Sequence, residues 1–412
     1  MPRVLGHSEP VNVAVEHSHP SVFEPAPLGP VTLRNRIVKA ATFEGASPRG
    51  AVTDTLVDFH RRVGAGGAAM TTVAYLAVSP EGRTDRHCIC LQPDTMADGV
   101  VDGLKRLAET VHATGAAVSA QLGHAGPVAN PRSNRLPSLA PSRYLSPLGT
   151  RSRAASTDDL DRIISDFAHA ARVVADAGFD CVEIHLGHNY LLSAFLSPKL
   201  NRRRDEYGGT VENRARLGRQ VVAAVRAAVG DRVAVTAKLN MADGVPGGLW
   251  LDDSLEAARL LETDSKLDAL TLTGGSSLAN PMYLFRGEAP RAEFAATLPK
   301  PLQLGFRLFG RRFMPDYPFE EAFFLPYARQ FRAALDMPLV LLGGVNRLDT
   351  IDAALADGFS FVAMARALLR DPDLPNKMQS GQSAESLCIH CNKCMPTIYR
   401  GTHCVLASSE RR

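Results

Sequence analysis

The chain is 412 residues long, room for two or three ordinary domains or for one large α/β barrel with insertions. With 45% hydrophobic and 22% charged residues, 33 Gly and 27 Pro, it is not disordered, collagenous or coiled-coil. Its 46 Lys and Arg against 43 Asp and Glu leave a formal charge of +3, too little to argue for a nucleic-acid or anionic-membrane partner.

Residues 1–22 read as a loose, disordered N-terminal tail in which His7, His17 and His19 carry no expected chemistry. The first twenty positions lack the apolar stretch of a secretory signal, and no apolar run reaches the roughly 18 to 20 residues of a membrane helix. A soluble cytoplasmic protein is expected. From residue 23 to 385, short β-branched or apolar runs alternate with amphipathic stretches at helical spacing. The predicted strands are Ile37 to Ala41, Ala68 to Tyr75, Ala116 to Leu122, Asp180 to His185, Val233 to Leu239, Ala269 to Thr273, Leu339 to Gly343 and Phe359 to Met364. Helical patterns include Ala97 to Thr114, Leu160 to Ala177 and Glu212 to Val229, each followed by a helix-ending Gly115, Gly178 or Gly230. Eight strands and eight helices predict an α/β protein closed as a (β/α)8 TIM barrel, although periodicity alone also permits an open doubly wound sheet. Two stretches break the repeat. Gly126 to Thr157 is rich in Pro, Arg and Ser; the second, from Ser276 to about Pro318, is an aromatic-rich insert after strand six that reads equally well as a lid over a ligand or as a homo-oligomer contact.

The fourth strand runs out as Cys181-Val-Glu-Ile-His185-Leu-Gly-His188-Asn-Tyr190, at the end of a barrel where catalytic groups gather. Two imidazoles can donate N–H bonds to one developing oxyanion, and a phenol can deliver a proton to a neighbouring carbon, which together suit reduction of a conjugated alkene. Two other readings stay open on the residues alone. One is ordinary capping histidines; the other is a metal-dependent barrel hydrolase with His185 and His188 as ligands, although no third ligand follows at a suitable spacing.

With the flanking Phe195-Leu-Ser-Pro198, Asn201-Arg-Arg203-Arg-Asp205-Glu-Tyr207-Gly-Gly209 and Glu212-Asn213-Arg214, the run EIHLGHNYLLSAFLSPKLNRRRDEYGGTVENR resembles the Old Yellow Enzyme family of FMN-dependent oxidoreductases. It is most similar to the barrel part of the 2,4-dienoyl-CoA reductase and trimethylamine dehydrogenase branch, over about Leu28 to Asp373. The resemblance implies bound FMN, NAD(P)H as reductant and a small-molecule acceptor, an activated carbonyl-conjugated alkene that takes hydride from flavin N5 at its β-carbon. It places Ala41, Thr42 and Ala74 beside the flavin, Gln121 at its pyrimidine ring and Lys238 at its N1 and O2 edge. It places Gly343, Gly344, Ala365 and Arg366 around the phosphate, makes His185 and His188 hold the acceptor, and makes Tyr190 the proton donor. The chain departs from the family pattern at Phe43, which stands where a redox-tuning Cys or Thr is usual, so that contact is either missing or supplied by Thr42 one place earlier, and Glu44 beside it has no evident role.

The tail from 386 to 412 carries four of the seven cysteines, Cys388, Cys391, Cys394 and Cys404. A CxxCxxC run with a distant fourth Cys can hold a [4Fe-4S] cluster, as in the larger branch of the family, but a zinc site or reduced thiols remain alternatives. With a cluster, the chain would instead be a flavin and iron–sulfur dehydrogenase or demethylase passing electrons to a partner protein. Without turnover, flavin and thiols would make a redox sensor. Cys88, Cys90 and Cys181 read as buried thiols, and Trp250 as a lid residue or a helix-start anchor.

Overall fold

The structure, a computed structural model, describes residues 20–146 and 149–407. Eight parallel strands close into one barrel: β1 (Ile37–Lys39), β2 (Met70–Ala77), β3 (Ala117–Gly123), β4 (Cys181–Leu186), β5 (Ala234–Asn240), β6 (Ala269–Thr273), β7 (Leu339–Leu342) and β8 (Phe361–Met364). Each pairs with its neighbour in sequence and β8 pairs with β1, which excludes the open doubly wound sheet. All eight predicted runs became strands. The three helical patterns became Val100–His112, Thr157–Asp176 and Val211–Val229, within a few residues of their expected ends. Ser156 and Asp159 start the second with a reciprocal capping box, and Gly115 and Gly178 stop the first two in left-handed conformation at φ 77° and 87°.

Apolar side chains fill the layer between strands and helices, where Phe167, Phe331 and Leu341 are fully buried. The N-terminal mouth is plugged by an antiparallel hairpin, Ala26–Leu28 with Val31–Leu33, over Val38, Met70, Val340 and Phe361. Above this plug the interior turns polar: Thr72, Ser119, Glu183, Thr236, Lys238 and Thr271 line one small cavity. Their period of two along β2 to β6 follows from the alternation of side chains on a strand, which stacks them in layers across a barrel.

Most of the expected N-terminal tail, with His7, His17 and His19, lies outside the described residues; Val22, at its end, is buried and accepts the Arg36 N–H at 2.9 Å. The stretch after β3 folds into a small sheet of Ser138–Ala140, Tyr144–Leu145 and Arg151–Ala154. The insert after β6 is no bare loop: it carries helices Arg291–Thr297 and Lys300–Phe313, whose Phe294, Phe306 and Phe313 pack with Met282, Met314 and Met395. Met395 belongs to the cysteine-rich tail. That tail docks on the insert through Lys393 to Glu293 at 2.9 Å and through the Asn392 amide, which donates to the Glu288 carbonyl at 3.0 Å. Trp250 caps the start of helix Leu251–Thr263, half exposed and edge-on to Tyr327. No helix among the described residues is long and apolar enough to cross a membrane.

Candidate active site

β4 delivers His185 at its end, and the turn that follows brings His188 and Tyr190 back over it. The His185 ring stands 5.0 Å from His188 and 4.7 Å from Tyr190, centroid to centroid, and Tyr75 packs edge-on to Tyr190 at 5.5 Å. The turn is sharp enough that His188 and Asn189 both take φ 59°, a region that side-chain-bearing residues enter only when the surroundings compel it. The compulsion is visible. The His188 N–H donates to Asn240 Oδ1 at 3.0 Å, its carbonyl accepts from Ser277 N–H at 3.2 Å, and the Asn189 N–H donates to Ser193 Oγ at 3.2 Å.

Burial keeps both imidazoles neutral. His188 is pushed down to about 3 by desolvation and then by the Lys238 ammonium, and His185 well below its ordinary value by desolvation, His188 and Lys238. A neutral imidazole donates one N–H, and His188 Nε2 shares a 3.1 Å bond with Thr273 Oγ1. His185 Nδ1 is buried with no partner, a polar atom left for a ligand.

Beside the histidines, Lys238 Nζ lies 2.8 Å from Glu183 Oε1, and the Gln121 amide donates to the same oxygen at 2.7 Å. Glu183 thus ties together the two side chains expected at the flavin pyrimidine edge. From sequence alone Glu183 had no expected role; an acidic side chain at an inward barrel position was the available signal. Ala41 and Phe43 border a buried cluster that contains Ala74 and Tyr75. Thr42 Oγ1 accepts from Lys39 Nζ at 2.8 Å. At the phosphate end, Gly343 and Gly344 have φ 121° and 78°, and a side chain at either would strike Phe324 or Phe323. Ala365 precedes the short helix Arg366–Arg370. Arg366 donates to the Arg286 carbonyl at 2.8 Å and to Asn392 Oδ1, so besides standing at the end of β8 it forms a wall of the cysteine pocket.

Cys388, Cys391, Cys394 and Cys404 rim that one pocket together with Arg366, Leu369 and Arg370. Among the described residues no group of three or more His, Cys, Asp or Glu side chains stands already converged on a single metal-ion position. Desolvation raises the Cys394 thiol to about 12 and the Cys388 thiol above its usual value, with Arg366 acting the other way. Cys88 and Cys90, in the loop after β2, and Cys181, on β4, are buried free thiols outside this pocket.

These pKa directions predict acid sensitivity. His60, His185 and His188 are held neutral in the fold, with His60 also at about 3, whereas in the unfolded chain they take protons near 6.5. Their contribution is therefore present above about pH 6.5 and is lost as the pH falls below it. Glu44, raised to about 8, works in the opposite sense but is one group against three. Urea unfolding at pH 7 and pH 5 should show stability lower by on the order of 2–4 kcal/mol at pH 5; equal midpoints would mean that the imidazoles are charged in the fold.

The profile of the NADH:flavin oxidoreductase / NADH oxidase family matches residues 21–271. A 4,4'-dithiodibutanoate disulfide reductase of Rhodococcus erythropolis is 61% identical over 389 residues, 94% of this chain and 95% of that protein. A metal reductase of Desulforamulus reducens is 32% identical over 92% of this chain, which spans only 52% of that protein. Among solved structures, a 2-naphthoyl-CoA reductase complex superposes with a TM-score of 0.79 at 22% identity, over 93% of this chain and 56% of that one. That last likeness speaks for the fold alone. The expectation of a metal-dependent hydrolase fails against the family match, because the histidine pair it relied on belongs to a barrel of the flavin oxidoreductase family. With the family profile covering more than half of the chain and one relative aligned almost end to end, the chain belongs to the NADH:flavin oxidoreductase / NADH oxidase family and is an FMN-dependent oxidoreductase that uses a nicotinamide reductant.

Proposed function

We propose that this enzyme reduces a small organic acceptor with NAD(P)H, and that the acceptor is an aliphatic disulfide. The observation that carries the acceptor class is the end-to-end 61% identity to the Rhodococcus disulfide reductase. FMN held here would supply the hydride-transfer chemistry between nicotinamide and acceptor. Ala41, Thr42, Ala74 and Gln121 would line the ring, Lys238 would balance its negative charge when reduced, and Gly343, Gly344, Ala365 and Arg366 would receive the phosphate. His185 and His188, neutral and buried, orient the acceptor by N–H donation, and Tyr190 holds the proton that the departing group needs. For a disulfide the balance is one S–S bond broken, two S–H bonds formed, one NAD(P)H oxidised and one proton consumed.

Reduction of a carbonyl-conjugated alkene is the second reading, favoured by the paired imidazoles, which suit a carbonyl oxygen better than a sulfur. The four thiols around one pocket fit the donor set of a [4Fe-4S] cluster, held by Cys388, Cys391, Cys394 and Cys404. A cluster would supply single-electron transfer, and with it a route to a partner protein.

The anaerobic absorption spectrum of the purified protein tests the cofactors: two flavin bands on a broad sulfur-to-iron shoulder are expected, and folded protein without flavin would end the reading. Turnover then decides the acceptor. NAD(P)H oxidation with 4,4'-dithiodibutanoate should yield two thiols per nicotinamide; turnover of 2-cyclohexenone with none on the disulfide would select the alkene instead.

A further inference from the structure

We propose that the buried Lys39 ammonium, with the buried Glu44 carboxyl on the loop that follows it, sets the reduction potential of the flavin, an inference that rests on the FMN reading above. A lysine and a glutamate with 0% and 3% exposure are costly to bury, and neither takes part in the chemistry described so far. Both end on the loop and strand expected beside the flavin. Lys39 Nζ donates to the Ala40 carbonyl at 2.6 Å and to Thr42 Oγ1 at 2.8 Å. The Glu44 carboxyl accepts the Ala74 N–H at 3.2 and 3.3 Å, a donor that the irregular register between Val73 and Leu76 leaves out of the strand ladder.

The surroundings keep these charges from relaxing into water. The Phe59 ring lies 5.6 Å from Lys39 Nζ, and His60 Nε2 lies 3.6 Å from Glu44 Oε1. The loop itself is clamped by the cysteine-rich tail: the Thr402 N–H donates to the Glu44 carbonyl at 2.6 Å, the Thr402 hydroxyl donates to the Phe43 carbonyl, and a side chain at Gly45 would overlap the Ile398 carbonyl. In so dry a setting a unit charge acts over a longer range than it would in solvent. The other ionisable groups that face the pair are His60, held neutral, and the Lys238 ammonium with its partner Glu183. Burial brings Lys39 down and Glu44 up to about 8, so at pH 7 the pair carries positive charge, which it sheds around pH 8. Positive charge favours the electron-rich reduced flavin. The pair therefore takes the place of the tuning side chain that Phe43 cannot supply.

The test is a spectroelectrochemical titration of bound FMN from pH 6 to pH 9 in wild type, Lys39→Met and the double variant Lys39→Met/Glu44→Gln. The double variant removes both ionisable groups together, so no buried ion is left at either end of the titration. A potential lower than wild type at pH 7 is expected in both variants, together with loss of the extra downward bend that wild type shows near pH 8. Wild-type potential and slope in a double variant that holds FMN would overturn the proposal, and so would loss of FMN from the double variant alone, which would make the pair purely structural. Absence of flavin from wild type would instead sink the FMN reading on which the proposal rests.

Discussion

Tyr190→Phe is expected to slow acceptor reduction about 10²–10⁴-fold, the usual worth of a positioned general acid, while flavin reduction by NAD(P)H keeps its wild-type rate. The split follows from the structure. The ring of residue 190 packs edge-on against His185 at 4.7 Å and Tyr75 at 5.5 Å, contacts that phenylalanine preserves, so only the hydroxyl is lost. Hydride arriving from the nicotinamide needs no proton from the protein, whereas the thiolate expelled from a disulfide, or the α-carbanion formed on a reduced alkene, does. Stopped-flow mixing resolves the two halves. Equal slowing of both would show that Tyr190 shapes the pocket and donates nothing.

Lys238→Met carries the largest expected cost to the fold. It leaves Glu183, 7% exposed, without the cation at 2.8 Å, and breaking one side of a buried ion pair costs about 3–5 kcal/mol. The Gln121 amide still donates to the same carboxylate but carries no charge to balance it. Urea unfolding should show this loss, and FMN should wash out more readily during gel filtration. Adding Glu183→Gln to Lys238→Met should restore most of the stability, because no unpaired ion then remains, yet should not restore FMN retention if Lys238 serves the flavin directly. Recovery of both would reduce Lys238 to a partner of Glu183.

The eight strands and the three marked helices could be read from the chain because their signals are local: β-branched runs bounded by glycine, and apolar faces at helical spacing. The grouping of His185, His188 and Tyr190 was legible too, since three side chains within six residues at a strand end must emerge together. Lys39 and Glu44 were not. One was hidden in a run of apolar strand residues and the other had no evident role, and only their meeting with Thr42 and Ala74, brought close by strand pairing of β1 with β2, gives them one. The insert after β6 was read as a lid or an oligomer contact, and in the fold it also cradles the cysteine-rich tail; Asn392 and Met395, which make that contact, lie more than a hundred residues from their partners Phe285 and Met282.

By itself the sequence determined the run of eight strands and the cluster of imidazoles and phenol, because each is written in short-range pattern, while the closed barrel and the flavin were implied by the family resemblance of its motifs. The tertiary structure alone decided which ionisable groups are buried together, that Arg366 at the end of β8 also walls the cysteine pocket, and that the tail clamps the loop after β1. Those outcomes depend on side chains distant in sequence sharing one desolvated space, where a charge is tolerated only against a particular partner, and no local pattern encodes that meeting.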